Sequence, residues 1–214
     1  MNKTPPHEVL IIFTRYPEPG LVKTRLIPLL GEAGAADLQR RMTEHVLAEA
    51  GQLARQRSIG LEVRYAGGDA GKMRQWLGPG LNCRPQAAGD LGTKMDNAFR
   101  DALAAGTKNV VLVGSDCPGL SAEILAAAFT ALDQTDLVLG PARDGGYYLI
   151  GLKQGMPALF TDMPWSSGTV LAATMSRAAA LGLRVFLLPE LRDVDRPADL
   201  DGGEPFYPVM TVEK

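Results

Sequence analysis

The sequence predicts an α/β protein: a three-layer sandwich in which helices cover both faces of a mostly parallel central sheet. Three observations carry this. Short apolar runs of strand length alternate with stretches whose apolar residues recur every three or four positions, the pattern of strands separated by helices. Two of the runs, Val9-Leu10-Ile11-Ile12-Phe13 and Val110 to Val113, are apolar throughout, as strands buried on both faces are. Glycine makes up 24 of 214 residues, above the usual ~7%, which suits many tight loops or a ligand held close to backbone.

Taken in order, residues 8–14 read as a buried strand. Residues 35–57 read as a helix, with Leu38, Met42, Val46, Ala50 and Leu53 on one face. Residues 60–66 alternate and predict a strand, and residues 70–77 a short helix stopped by Gly78-Pro79-Gly80. The next helix covers 90–105, with Leu91, Met95, Phe99 and Leu103 four apart. Residues 109–114 form a buried strand. Ser121 can cap a helix that runs to Leu132, with Ile124, Ala128 and Phe129 inward. Residues 136–140 and 147–152 read as strands, 169–181 as a helix and 184–188 as the last strand. With no internal repeat or linker, the expectation is a single domain over 1–214, with its core at 8–201 and a loose tail at 202–214.

Several classes are excluded. The net charge is −2, so there is no basic field for nucleic acid. No apolar run approaches the ~20 residues of a membrane span. Residues 1–8 lack the apolar stretch and small-residue cleavage site of a leader. Cys83 and Cys117 are far apart, which supports neither a disulfide framework nor a structural zinc site. A cytoplasmic protein, monomeric or a small homo-oligomer, is expected.

In such sheets ligands sit beyond the carboxyl ends of the strands. After the first strand, Thr14-Arg15-Tyr16-Pro17-Glu18-Pro19-Gly20-Leu21-Val22-Lys23-Thr24-Arg25 carries three cations, Arg15, Lys23 and Arg25, in a stiff loop that includes Gly20. Converging cations and backbone amides suit a polyphosphate; a solvated basic loop explains the same residues. It is neither a Walker A motif nor a dinucleotide fingerprint, and the glycines of 67–73 have the wrong spacing for one. After residues 109–113 comes Gly114-Ser115-Asp116-Cys117-Pro118, where Asp116 can hold Mg²⁺ or Mn²⁺ or simply close a turn. A catalytic thiol at Cys117 is rejected, because neither His7 nor His45 lies near it in sequence.

Arg143-Asp144-Gly145-Gly146-Tyr147-Tyr148 combines a turn dipeptide with a glycine pair that permits close approach of a ligand. The two tyrosines would point to opposite faces, so one at most faces a site. After the last strand, Asp193 and Asp195 flank Val194 and would share one face, able to share a cation or to pair with Arg192 and Arg196. Two further segments join the candidates. Gly92, at a helix start capped by Asp90, would let an anion near free amides. Trp165 and Ser166 precede a helix, Trp165 as a lid, a core plug or a ligand platform.

Together these segments resemble the bacterial DUF2064 proteins, GT-A-type transferases similar to 2-phospholactate guanylyltransferase and to nucleotide-sugar glycosyltransferases. The motifs are Thr14 to Leu26, Gly89-Asp90-Leu91-Gly92, Gly114 to Pro118, Asp144 to Gly151 and Asp193-Val194-Asp195. The resemblance runs from about residue 8 to 201 and implies the GT-A, or nucleotide-diphospho-sugar transferase, type of fold. It implies a divalent ion on Asp116, a second metal carboxylate at Asp193 or Asp195, and a basic nucleotide loop at Lys23 and Arg25. The chain departs from the guanylyltransferase-like relatives after Gly146, where Tyr147-Tyr148 replaces small polar residues that hold the acceptor.

The function this implies is metal-dependent transfer of an NMP group from an NTP to a small phosphorylated or hydroxylated acceptor. Lys23, Asp116 and Asp144 are the catalytic candidates, with Asp144 as base for a hydroxyl. Arg15, Gly20, Lys23, Arg25, Gly92 and Ser115 would hold the nucleotide, and Gly145, Gly146, Tyr147, Trp165 and Ser166 the acceptor. The alternatives are glycosyl transfer from a nucleotide sugar and a nucleotide-binding module without turnover.

Overall fold

The computed structural model describes residues 6–202. Its strands are β1 (Glu8–Arg15), β2 (Gly60–Ala66), β3 (Asn82–Pro85), β4 (Asn109–Val113), β5 (Leu137–Pro141), β6 (Tyr147–Leu152) and β7 (Val185–Leu187). The helices are α1 (Ile27–Gln56), α2 (Ala70–Leu77), α3 (Leu91–Ala104), α4 (Ala122–Leu132) and α5 (Val170–Ala180). The strands form one sheet in the order β3-β2-β1-β4-β6-β5-β7. Only β6 runs against its neighbours. The α/β expectation with a mostly parallel sheet holds, and the exception has a local cause: β5 and β6 are joined by the Asp144 turn, too short for a parallel crossover.

The two-residue period of each strand sorts its side chains between two cores. Leu10, Ile12, Val111 and Val113 face one side with Val46, Leu53, Met73, Leu125 and Phe129 of α1, α2 and α4. Val9, Ile11, Val110 and Leu112 face the other with Met95, Ala98, Phe99 and Ala178 of α3 and α5. That is the three-layer sandwich.

Several local expectations shift. Helix α1 starts at Ile27, earlier than the apolar period implied, and breaks at Gly31 (φ 69°, ψ 169°). The edge strand β3 was not anticipated, since its four residues Asn82-Cys83-Arg84-Pro85 carry no strand pattern. Leu91, four residues before Met95 on the same stripe, is exposed, while Met95 and Phe99 are buried. Leu125, not Ile124, leads the inward face of α4. The alternation in β2 does not mark a wet face. Glu62 and Arg64 are both buried and paired to each other, with Arg64 also donating to Asp101 at 2.9 Å. Asp201 and Gly202 complete the 3-10 turn Pro197–Gly202; the rest of the expected loose tail, residues 203–214, lies outside the described residues. Among the described residues no helix is long and apolar enough to cross a membrane.

Candidate active site

Because β1, β2, β3, β4, β5 and β7 share one direction, their following loops gather at one end of the sheet. The first and last of these loops meet the middle one there. Lys23 Nζ donates to Asp116 Oδ1 and to the Val194 carbonyl, both at 2.6 Å. Arg25 pairs with Asp195. The Val194 amide donates to the Asp116 carbonyl at 2.9 Å, and Leu191 is laced to Pro141 and Arg143 through main-chain bonds of 3.0 Å. Buried Val194 packs with Leu26, Leu38 and Met42, so Asp193 and Asp195 both turn away from that core, as their alternation predicts.

Their partners differ. Asp195 has a cation in Arg25, and its amide and that of Arg196 donate to Asp199 Oδ2 at 3.0 and 2.7 Å. Asp193 has carboxylates instead. Burial raises its pKa, and the charges of Asp144, Asp199 and Asp116 raise it further. Asp116, Asp144 and Asp193 thus share one electrostatic neighbourhood. Among the described residues no three His, Cys, Asp or Glu side chains are close enough to hold an ion alone. The donor set nonetheless suits Mg²⁺, which takes one or two carboxylates plus substrate phosphate rather than an all-protein cage.

The remaining candidates fall into three groups. Arg15 is exposed at the end of β1, and Gly20 takes a left-handed φ of 80° in the loop that delivers Lys23. Ser115 is buried and bonded inside the protein: Gln39 Nε2 donates to it at 3.1 Å, and it reaches Thr14 Oγ1 at 3.4 Å. Thr43 completes this network at 2.7 Å from Thr14, fastening the ends of β1 and β4 to α1. The network was missed in the sequence. Its signal was Gln39 and Thr43, two polar residues four apart beside the apolar stripe of α1.

The third group surrounds the Asp144 turn. Asp144 Oδ1 accepts from the Gly146 amide at 2.8 Å, so one of its oxygens serves the hairpin. Gly145 (φ 87°) lies against the next loop: a Cβ there would be 2.1 Å from the Gly168 carbonyl. Gly92 behaves likewise, with a Cβ position 2.4 Å from the Phe160 carbonyl and 2.8 Å from Trp165 Nε1. Both glycines are in close approach to the protein's own 160–168 segment. Trp165 packs edge-on against Tyr147, ring centres 6.5 Å apart, and its buried Nε1 has no hydrogen-bond acceptor among the described residues. Ser166 is exposed with φ 66°. Tyr148 faces the opposite core, where its hydroxyl donates to the Pro189 carbonyl at 3.0 Å. Cys117 is buried, and burial together with the Asp116 charge pushes its thiol pKa well up, the opposite of a nucleophile's environment.

A groove of about 340 Å³ lies along the ends of β2 and β3. Backbone of Gly67, Gly68, Ala87 and Gly89 lines it, with Tyr65 and Lys94. Gln86 braces it: its amide donates to the Tyr65 carbonyl at 2.8 Å, and its side chain to the carbonyls of Arg64 and Thr14 at 3.2 and 3.4 Å. Gly67 and Gly68 lack the spacing of a phosphate loop and line this groove instead.

The chain is similar to several known proteins. The chain is 27% identical to a phosphoenolpyruvate guanylyltransferase of Chloroflexus aggregans over 78% of its length and 81% of the relative's. It is 29% identical to that of Chloroflexus aurantiacus over 86% of both. A crystal structure named for a nucleotide-diphospho-sugar transferase of Desulfovibrio desulfuricans superposes with a TM-score of 0.84 at 33% identity, covering 94% of this chain and 93% of that one. The expected transferase is thus met by relatives that are transferases. A family described as "Uncharacterized protein conserved in bacteria (DUF2064)" matches residues 46–167, more than half of the protein, and the chain belongs to that DUF2064 family.

Proposed function

We propose that this protein is a single-domain, metal-dependent nucleotidyltransferase that moves a guanylyl group from GTP to the phosphate of a small phosphorylated acid. The observation that carries the reading is the meeting of Lys23 with Asp116 and of Arg25 with Asp195 at the strand ends. Cations for a triphosphate and carboxylates for an ion are thereby held side by side. The two guanylyltransferases to which the chain is similar over most of its length supply the reaction type.

In this reading the purine lies in the groove beside Gly67, Gly68 and Gln86, where close backbone admits a flat ring. Arg15 and Arg25, both exposed, reach the β- and γ-phosphates, and Lys23 bears on the triphosphate from beneath. Asp116 and Asp193 would hold Mg²⁺ or Mn²⁺, which when bound supplies charge neutralisation on the phosphates. An acceptor phosphate oxygen near the Asp144 turn forms a bond to the α-phosphorus as the bond to the β-phosphate oxygen breaks and pyrophosphate leaves. Such an acceptor is already ionised, so no general base is needed, and positioning and charge supply the rate. Asp144, Gly145 and Gly146 form the wall on the acceptor side, backed by Tyr147 and Trp165.

The test is product analysis. Purified protein with GTP, Mg²⁺ and phosphoenolpyruvate is expected to release pyrophosphate and a guanylylated acid. The Desulfovibrio structure favours a second reading, glycosyl transfer from a nucleotide sugar. Release of free nucleoside diphosphate from a nucleotide sugar, with no pyrophosphate from GTP, would establish it instead.

A further inference from the structure

Lys23 sits in a place that is costly for an ammonium. Its side chain is 3% exposed, against 53% for its partner Asp116. Burying a charge is tolerated only when it is paired and hydrogen-bonded. Two short bonds meet that need, to Asp116 Oδ1 and to the Val194 carbonyl. Its backbone is left-handed (φ 46°, ψ 40°) ahead of the turn Thr24–Leu26, a conformation a non-glycine residue holds only when its surroundings enforce it. Two residues on, Arg25 pairs with Asp195. The first loop therefore grips both acidic loops, one through Asp116 and the other at Val194 and Asp195, just after Asp193.

We propose that Lys23 is a built-in stand-in cation: its ammonium occupies the Asp116 oxygen that a divalent ion would use, holds the acidic loops together in the empty enzyme, and passes to the triphosphate when nucleotide and ion bind together. The proposal rests on the nucleotidyltransferase reading above. Its consequence is ordered binding. With no nucleotide, Lys23 keeps its ion pair with Asp116. A triphosphate gives the ammonium a new partner and frees the carboxylate. Ion and triphosphate then each raise the other's affinity, as linkage requires.

The experiment is calorimetric titration of Mn²⁺ into wild type, Lys23→Gln and the Lys23→Gln/Asp116→Asn double variant, without nucleotide, with circular dichroism as the check on folding. Lys23→Gln is expected to bind Mn²⁺ about tenfold tighter than wild type, since a competing charge at contact distance has been removed. The double variant is expected to lose that gain. Equal Mn²⁺ affinity in wild type and Lys23→Gln overturns the proposal. A measurement on wild type alone stands if the variant does not fold. Mg²⁺ with inorganic tripolyphosphate is expected to raise Tm while Mg²⁺ alone does not, and an equal rise with Mg²⁺ alone overturns the stand-in role. If wild type binds Mn²⁺ with GTP but Lys23→Gln shows no gain without it, Lys23 is a permanent strut and the functional reading survives. If wild type does not bind Mn²⁺ even with GTP, the functional reading fails and takes the proposal with it.

Discussion

The two ends of the sheet treat charge in opposite ways. Where β1 and β4 begin, Glu8 accepts from Arg57 Nε and Nη2 at 2.5 and 2.7 Å and from Asn109 at 3.3 Å. The Arg57 guanidinium holds the Glu8 carboxyl below the usual carboxylate range. A cavity of about 530 Å³ at this end is lined by both signs, with Lys108 and Lys153 near Glu8 and Asp133. Where the same strands finish, burial raises the pKa of Asp193, and the nearby charges of Asp144, Asp199 and Asp116 raise it further. One end is satisfied as it stands. The other holds a half-buried carboxylate among like charges, which a bound cation would relieve, and this asymmetry separates the two ends more clearly than cavity size does, since the larger of these two cavities lies at the quiet end.

The contrast can be broken by mutation, and the largest effect is expected at the crowded end. Asp116→Asn should lower kcat by about 10²–10³ fold, the scale for losing a group that stabilises transition-state charge. Its melting temperature should fall as well, because the asparagine oxygen can still accept from Lys23 but leaves the buried ammonium without a counter-charge. Pyrophosphate release and a thermal melt check both halves. Next comes the quiet end. Arg57→Ala should cost about 1–2 kcal/mol in a urea melt, the scale of a part-exposed charged hydrogen bond, and should leave kcat unchanged. A fall in kcat would mean that the two ends are coupled.

The smaller effects turn on sign. The folded-state pKa of Asp193 is raised, so its contribution to stability is full below the unfolded value of about 3.9 and is lost as pH rises through the folded value. At neutral pH its charge therefore costs stability. Asp193→Asn should raise Tm by about 2–4 °C at pH 7, and the gain should vanish below about pH 4. Tm measured across pH 3.5–8 decides it, taking about 3.9 as the reference. Glu8 has the reverse sign. Its folded pKa is lowered, so its contribution is present above the unfolded value of about 4.3 and lost as pH falls through the folded one. The advantage of wild type over Glu8→Gln, expected to be about 1 kcal/mol or less, should disappear in acid.

Much of the fold was legible in the sequence, and the limits follow from particular residues. Ala70–Leu77 and Tyr147–Leu152 fall where local pattern places them, because a stop signal or a short apolar run is written in adjacent residues. Edge strand β3 was not legible: it exists because β2 offers it a ladder, a partner its own four residues do not encode. Glu62 and Arg64 alternate with apolar neighbours in β2 yet are buried, since a pair that neutralises itself can go inside. Gly92 and Gly145 read as openings for a ligand, and the structure lays the 160–168 segment against both.

The sequence by itself determined which residue types end each strand, and so which loops carry cations and which carry acids. Periodicity is a short-range property, and it is enough to say where strands stop. Only the tertiary structure decided who pairs with whom: Lys23 with Asp116, 93 residues away, and Arg25 with Asp195, 170 residues away. Pattern left Asp193 and Asp195 equivalent. The path of the first loop separated them, because Coulomb energy depends on distance through space and not along the chain.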